Sequence, residues 1–446
     1  MNTLFVVEND LQGEVQPAWV KKKWENLKQK YKDLKCPRTG VTVLEDECQR
    51  PRPRKRGREE GDVFNYLWEM EEKEALRERE QQKKEDQSFA QNNKLRKGSS
   101  PIMPRVSFAP PSLCFTFLPL LDRLLPSLPP TVRDVDVPPL FRERFILSGY
   151  RPVGLSWRCY VLSLFQIHNE TLNVWSHLVA AGILGFRLQG PEGQGFSVDV
   201  SSLPLVLYVF SAITYLSCSA AAHLLQSHSE HAHYSLFFLD YVGVAVYQYG
   251  CALALCLYSS NTTWTQSMVG QVFLPAAALL AWISCTTCCY AKLRFRRPYP
   301  LHRKLCQVLP MGVAYLLDIS PIAHRLATQS WTSNSALTLH FMQVVLFLLS
   351  AFFFSCPIPE RFSSGRYDIV GHSHQLFHIL LSFCTLAQQE ALFHDFLWRR
   401  PALVREFGQE HLLLACTSFP CLTLCCMMTA LTMRRRAQAQ LTKEQR

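Results

Sequence analysis

Apolar residues form long uninterrupted runs along this chain from residue 172 onward. Eight such runs of 17 to 24 residues are separated by shorter, more polar segments. They cover residues 172–188, 203–225, 234–257, 269–290, 308–324, 336–356, 374–393 and 412–433. A helix of about 20 apolar residues crosses the hydrocarbon core of a bilayer, which is about 30 Å thick. The pattern therefore predicts an all-α multi-pass membrane protein, in which the eighth run stands apart and adds a C-terminal transmembrane helix.

The first hundred residues have a different composition. They contain 22 of the 47 Lys and Arg residues and 19 of the 36 Asp and Glu residues, so the other 346 residues are only about 12% charged. That is about half the charged share of an ordinary globular protein. The chain therefore divides into a charged N-terminal segment at 1–98, a Pro-rich cytosolic linker at 99–165, a transmembrane domain at 166–433 and a basic cytosolic tail at 434–446.

Residues 19–35 in the N-terminal segment repeat apolar positions at steps of three and four, with lysines between them, which predicts an amphipathic helix. This stretch resembles the last helix of Myb/SANT-like DNA-binding domains, and the basic run at 50–58 is typical of a nuclear import signal or a nucleic-acid patch. A nuclear DNA-binding module and a membrane protein belong to different cellular compartments, so we expect no nucleic-acid partner. The hypothesis is a fusion of two gene segments near residue 100, or else a disordered cytosolic tail.

Lys and Arg in the short loops predict the orientation of the spans, because these residues are enriched on the cytosolic side. Six of them lie between the fourth and fifth runs: Lys292, Arg294, Arg296, Arg297, Arg303 and Lys304. The preceding loop, 258–268, has no Lys or Arg and contains Asn261 in an Asn-Thr-Thr glycosylation triplet. This predicts a cytosolic N-terminus and an external, glycosylated Asn261. Arg399, Arg400 and Arg405 would then face outward, which keeps a seven-span alternative open.

Five polar residues inside the spans indicate a zinc site. Burying an ionisable group in a membrane costs free energy, so such groups are usually kept for a function. Ser219 and His223 are four residues apart on one helix face, as are His374 and His378, and Asp240 lies in the first two turns of the third span. In the predicted topology all five lie at one depth, near the cytosol. Three imidazoles can bind Zn²⁺ and leave a fourth position for water, which Asp240 and Ser219 would orient. The alternative is a set of ordinary hydrogen bonds between helices.

Two further groups of side chains, one in the first span and one in the fourth, each have either a functional or a purely structural interpretation. Glu170, Asn173 and His177 share a helix face at the start of the first span and are predicted to form a polar network under the metal site, or else a simple helix cap. Three cysteines lie at the cytosolic end of the fourth span: Cys285, Cys288 and Cys289. They are candidates for palmitoylation, or else small packing residues.

Several ordered motifs resemble the progestin and adiponectin receptor family. They are HNETLNVWSHL at 168–178, SAAAH at 219–223, Asp240 seventeen residues later and HQLFH at 374–378. The stretches LDYVGVAVYQYG at 239–250, RRPYP at 296–300 and LDISPIAHR at 317–325 look like its membrane progestin receptor branch, the beta type in particular.

This resemblance implies a receptor rather than an enzyme. The family would supply a seven-helix core, an eighth helix in this branch, a cytosolic N-terminus, the zinc site, binding of a progestin at the plasma membrane among membrane lipids, and signalling through a heterotrimeric G protein. The wider group also contains ceramide-cleaving hydrolases. A zinc-dependent lipid amide hydrolase with Asp240 and Ser219 as catalytic residues is therefore an alternative, and a purely structural zinc site is another.

Steroid binding requires an apolar slot with one or two polar groups for the oxygens at the ends of the ring system. Gln248, in the middle of the third span, is the first candidate because its amide can donate to a ketone. Gln343 and Asp318 are the next candidates. An interhelical hydrogen bond is the alternative role for each of the three.

Overall fold

The computed structural model describes residues 128–187, 199–295, 301–329 and 335–444. The predicted Myb/SANT-like helix, the basic run at 50–58 and the linker up to residue 127 lie outside these residues. Within the described ranges the regular structure is helical, with one isolated antiparallel bridge between Val132 and Tyr150. The helices are α1 Trp157–Leu162, α2 Thr171–Arg187, α3 Leu203–Leu225, α4 Glu230–Ala254, α5 Thr262–Thr265, α6 Met268–Arg294, α7 Leu301–Asp318, α8 Ser320–Thr328, α9 Ser335–Ser355, α10 Ser373–Phe407 and α11 Gln409–Glu444.

The predicted all-α multi-pass membrane fold is confirmed. Among the described helices, α3, α4, α6, α9, α10 and α11 are each long and apolar enough to cross a membrane, and α7 with α8 makes a seventh if this bent pair is one span. The first predicted span forms α2, whose 17 residues measure about 25 Å. The last predicted span is the core of the 36-residue α11.

Two predicted boundaries are wrong. The fifth run is not one helix, because the chain bends by 47° between α7 and α8. Pro321 lies in the first turn of α8, where it has no N–H to donate to the preceding helix and disfavours helical geometry at Ser320. The predicted loop that carries Arg399 and Arg400 is helical, since α10 continues to Phe407 and ends at Gly408 with a φ of 74°.

Helix α4 forms the centre of the bundle. Its Tyr234, Phe238 and Tyr249 are buried in a cluster shared with Phe273 of α6 and Phe419 of α11. On the other side α4 approaches α3 closely, because a Cβ atom on Gly243 would lie 2.9 Å from the Cα atom of Tyr215. Small residues permit this close approach of helix backbones in membranes. Helix α11 packs mainly on α4 and α6 and touches α3 where Phe419 meets Phe210.

A folded cap, formed by residues 128–170 and 356–372, covers one end of the bundle. Val137, Ile146 and Tyr150 form a small buried core within it. The two parts of the cap meet at Asp368, whose carboxylate accepts hydrogen bonds from the Leu147 N–H at 3.1 Å and from the Ser148 hydroxyl at 2.6 Å. The segment predicted as a linker at 99–165 is thus folded from residue 128 onward.

Candidate functional site

Three histidines converge where the bundle meets the cap. His223 ends α3, and His374 and His378 occupy the first two turns of α10. The Nε2 atoms of His223 and His374 are 3.4 Å apart, and those of His374 and His378 are 3.2 Å apart. His223 and His378 are buried, with 3% and 1% of their surface exposed. In the part of the chain that the structure describes, these are the residues arranged as a group of three that could hold a metal ion.

The geometry of this group fits zinc. A tetrahedral zinc ion lies about 2.0–2.1 Å from each imidazole nitrogen, which places two such nitrogens about 3.3 Å apart. The observed Nε2 separations of 3.4 and 3.2 Å match that spacing. Three imidazoles are the ligand set of zinc sites that leave a fourth position for water.

Glu170 orients His223. Its Oε2 atom lies 2.7 Å from His223 Nδ1 and accepts a hydrogen bond from the Asn173 amide at 2.5 Å, while Oε1 accepts one from the Gln226 amide at 2.7 Å. An Nδ1–H donated to a carboxylate leaves the Nε2 lone pair of the same ring pointing toward the other two histidines. Although burial opposes ionisation of Glu170, its contacts with His223 and Asn173 hold its pKa well below the usual range.

The remaining predicted members of the network also lie here. The His177 ring packs against His378 with 4.1 Å between ring centroids and 31° between the ring planes. Asp240 and Ser219 line the same space as the histidines. All five residues predicted to share one depth therefore border one space.

That space is a cavity of about 890 Å³. Its floor is formed by Ser219, Asp240 and the three histidines, and aromatic rings form much of its wall, among them Phe353, Phe354 and Phe377. Basic side chains border it near the cap, namely Arg142, Arg144, Lys292, Arg303, Lys304 and Arg361. A cavity of this size and mixed lining can hold a small amphiphilic molecule next to the candidate metal centre.

Comparison with known proteins identifies the family. A family model described as "Haemolysin-III related" matches residues 165–389, which is half of the chain and includes the three histidines, Glu170 and Asp240. The chain belongs to the haemolysin-III-related family.

Curated relatives of this haemolysin-III-related protein are named as receptors. Human "Membrane progestin receptor beta" is 50% identical over 329 residues, which are 73% of this chain and 93% of that protein. The protein of the same name from Sus scrofa is also 50% identical over 73% of this chain and 93% of its own length. "Membrane progestin receptor alpha" from Cynoscion nebulosus is 48% identical over 72% and 92%. The resemblance to the progestin and adiponectin receptor family and its membrane progestin receptor branch is confirmed.

The three residues predicted to contact a steroid lie away from the cavity wall. Gln248 donates its amide N–H to Asp318 Oδ2 at 3.1 Å, between α4 and α7. Gln343 on α9 pairs instead with His340, at 2.8 Å between Nε2 and Nδ1. Among the described residues, Asp318 Oδ1 and Gln343 Oε1 are buried without a hydrogen-bond partner. Tyr315 and Phe347 stack on each other one turn from Asp318 on α7 and from Gln343 on α9, with 3.7 Å between ring centroids.

This haemolysin-III-related bundle has a second buried polar cluster at its opposite end. The sequence did not predict it. Asp395 Oδ2 accepts hydrogen bonds from Arg325 at 2.6 Å and Ser259 at 2.6 Å, and lies 2.8 Å from His340 Nε2. These groups come from α8, α9, α10 and the helical turn after α4. Gln343 belongs to this cluster through His340. Only the LDISPIAHR motif, which contains Arg325, gave a sign of it in the sequence.

Asn261 and the arginines after the seventh predicted span lie at this same end. Asn261 caps α5 through a 2.9 Å hydrogen bond from the Trp264 N–H. Arg400 pairs with Asp199 at 2.7 Å, and Arg399 donates to the Ser260 carbonyl and pairs with Glu406 at 2.8 Å. These pairs do not change the orientation signal, because acidic residues contribute little to it, so Arg399 and Arg400 still count against the predicted orientation. Glycosylation of Asn261 stays a prediction.

The three cysteines predicted as palmitoylation sites are buried in the helix packing of this family member. Cys285, Cys288 and Cys289 are exposed by 1%, 5% and 0%. Cys285 and Cys289 belong to the apolar cluster shared by α4, α6 and α11. A thiol must reach the membrane surface to be acylated, so this burial favours the packing role.

Proposed function

We propose that this chain is a plasma-membrane receptor that binds a progestin within its helix bundle. The observation that carries the proposal is its 50% identity to proteins named "Membrane progestin receptor beta" over 93% of their length. The family match at 165–389 contains all three residues considered as steroid contacts.

The environment of Gln248, Asp318 and Gln343 supports steroid binding there. A progestin is a flat apolar ring system with a ketone at each end, and it needs stacking surfaces and a few polar groups. The stacked rings of Tyr315 and Phe347 supply an apolar surface, and the Gln248 amide supplies a donor. A ketone oxygen can replace Asp318 Oδ2 as the acceptor of that donor.

Replacing Gln248 by leucine is expected to weaken progesterone binding about tenfold, because one buried hydrogen bond to the ligand, worth ~1.4 kcal/mol, is lost. The measurement is saturation binding of radiolabelled progesterone to the purified protein in detergent. Gln271→Leu on the exposed face of α6 is the matched control. Equal affinity of the two variants and the unchanged protein would remove Gln248 from the site, and absence of saturable binding to the unchanged protein would refute the receptor proposal.

We further propose that His223, His374 and His378 bind one zinc ion. The support is the two Nε2–Nε2 separations of 3.4 and 3.2 Å, which match tetrahedral spacing, and the carboxylate on His223 Nδ1. When bound, zinc would hold α3 and α10 together and supply a Lewis acid at the floor of the cavity. Glu170 would fix the ring of His223, and Asp240 with Ser219 would accept and donate hydrogen bonds at the open position.

We also propose that the protein signals through a heterotrimeric G protein. In the orientation predicted from Lys and Arg, the capped end of the bundle and the basic loop between α6 and α7 face the cytosol, and they are the surface we assign to this contact. Progesterone-stimulated nucleotide exchange on a G protein reconstituted with the purified receptor is the expected result. Exchange that is unaffected by progesterone would refute the coupling.

A zinc-dependent lipid amide hydrolase is the second candidate. It is favoured by the Ser219–Asp240 pair, which borders the same cavity as the three histidines. Asp240 would take a proton from the attacking water, and the Ser219 hydroxyl would donate a hydrogen bond to the developing oxyanion. Incubation of the zinc-loaded protein with ceramide and assay of the released sphingoid base distinguishes this candidate, which fails if none is released.

A further inference from the structure

The cap holds the end of α3 that carries His223. Arg151 lies in the cap, is 4% exposed, and donates from Nη2 to the His223 carbonyl at 2.7 Å and from Nη1 to the Leu224 carbonyl. The Ser163 hydroxyl, 2.9 Å from Nη1, fixes the guanidinium from the other side. The last carbonyls of a helix have no partner within it and carry partial negative charge, so a cation there is favourable. Burial lowers the pKa of Arg151 to about 10, which leaves it charged at neutral pH.

The cap also holds the end of α10 that carries His374 and His378. Glu360 Oε2 accepts a hydrogen bond from the Ser373 N–H at 2.8 Å, and Oε1 accepts one from the Ser373 hydroxyl. Here a carboxylate contacts the free N–H groups at a helix N-terminus. A negative charge at the N-terminus is favourable in the same way as the positive charge of Arg151 at the C-terminus of α3. Glu360 is 3% exposed, so little water competes for it.

We propose that Arg151 and Glu360 are positioning residues for the three-histidine site, which they serve by fixing the ends of α3 and α10 relative to one another through the cap. The inference rests on the proposed zinc site. A metal site requires its donor atoms within a few tenths of an ångström of their places. The direct hydrogen bonds between α3 and α10 lie deeper in the bundle, where Tyr215 and Tyr208 contact Thr385, whereas the cap acts on the helix ends that carry the histidines. Arg151 binds the backbone carbonyl of His223, whose ring supplies a ligand. Glu360 binds Ser373, which directly precedes the ligand His374.

The test compares zinc affinity in five variants of the full-length chain. Arg151→Met removes the guanidinium, and Glu360→Gln removes the negative charge and one of the two oxygens that accept hydrogen bonds from Ser373. Both changes keep side-chain size and are expected to weaken zinc binding about tenfold in competition with a chelator. Arg158→Met and Glu410→Gln are the matched controls, since both residues are exposed, and they are expected to leave the affinity unchanged. Arg151→Lys retains the charge but not the planar fork, so its affinity is expected to lie between those of Arg151→Met and the unchanged protein.

If Arg151 and Glu360 only stabilised the fold, the two variants would behave differently from what a positioning role predicts. Positioning changes the visible absorption bands of the Co²⁺-loaded protein, which report the geometry of the ligands, whereas general destabilisation lowers only the melting temperature. Unchanged zinc affinity and unchanged Co²⁺ bands in both variants would overturn the proposal while the zinc site stands. If the unchanged protein binds no zinc, the zinc site fails first and this inference with it. Should Arg151→Met not fold, Glu360→Gln decides the question alone.

Discussion

Replacing His378 by alanine is expected to leave the purified protein without zinc. The change removes one of three converging imidazoles and leaves two members, His223 and His374, of the group that could hold a metal ion. Loss of a carboxylate that merely orients a ligand costs 10- to 100-fold in metal affinity, so loss of the ligand itself should cost more than about 100-fold. Metal content by mass spectrometry, with affinity by chelator competition, is the measurement.

His394→Ala is the matched control for this experiment. His394 lies on the same helix, α10, but its side chain is 43% exposed and pairs with Glu390. The control is expected to retain one zinc per chain. A His378→Ala protein that keeps one zinc per chain at unchanged affinity would falsify the three-histidine site.

Replacing Asp395 by alanine is expected to destabilise the bundle by about 3–5 kcal/mol, because it leaves the Arg325 guanidinium buried without its carboxylate. Arg325 and Asp395 have side chains 8% and 5% exposed, so water cannot take over the lost contact. His340 and Ser259 lose the same acceptor. The measurement is the melting temperature of the purified protein in detergent, which should fall markedly.

The pair formed by Asp199 and Arg400 provides the comparison. It has nearly the same separation, 2.7 Å, but side chains 44% and 38% exposed. Exposed pairs contribute about 0–1 kcal/mol, and the hydrogen bonds that Asp199 accepts from Ser201 and Ser202 contribute about 1 kcal/mol each, so Asp199→Ala should lower the melting temperature less than Asp395→Ala. The double variant Asp395→Ala with Arg325→Met removes both charges and should recover part of the lost stability. Equal effects of Asp395→Ala and Asp199→Ala would contradict the assigned role of the buried pair.

The spans and the three histidines could be predicted because both depend on short-range patterns. Apolar runs mark helices directly, and a spacing of four places His374 and His378 on one face. The orientation of alternate helices then brings His223 to the same level. Glu170 was placed beneath the site from its helix face, but its specific partner, His223 Nδ1, depends on packing between α2 and α3 that no local pattern encodes.

Contacts between distant parts of the chain could not be predicted. Asp395 is 70 residues from Arg325 and 55 from His340, and each lies on a different helix with ordinary neighbours. The break before Pro321 was hidden because the apolar run continues across it. Residues 128–170 lack helical periodicity, so the sequence indicated a linker where hydrogen bonds to residues 356–372 build a folded cap.

The cap determines when the site can be assembled during synthesis. Asn169, at the edge of the cap, pairs through its carbonyl with His372, which is 203 residues later in the chain. At about 5–20 residues per second, the ribosome needs roughly 10–40 s to reach that point. During this interval α2 to α9 emerge from the ribosome. The second half of the cap and the two histidines that join His223 have not yet been synthesised. Closure of the site is thus a late event in synthesis, and a nascent chain arrested at the end of α9 lacks both the second half of the cap and two of the three histidines.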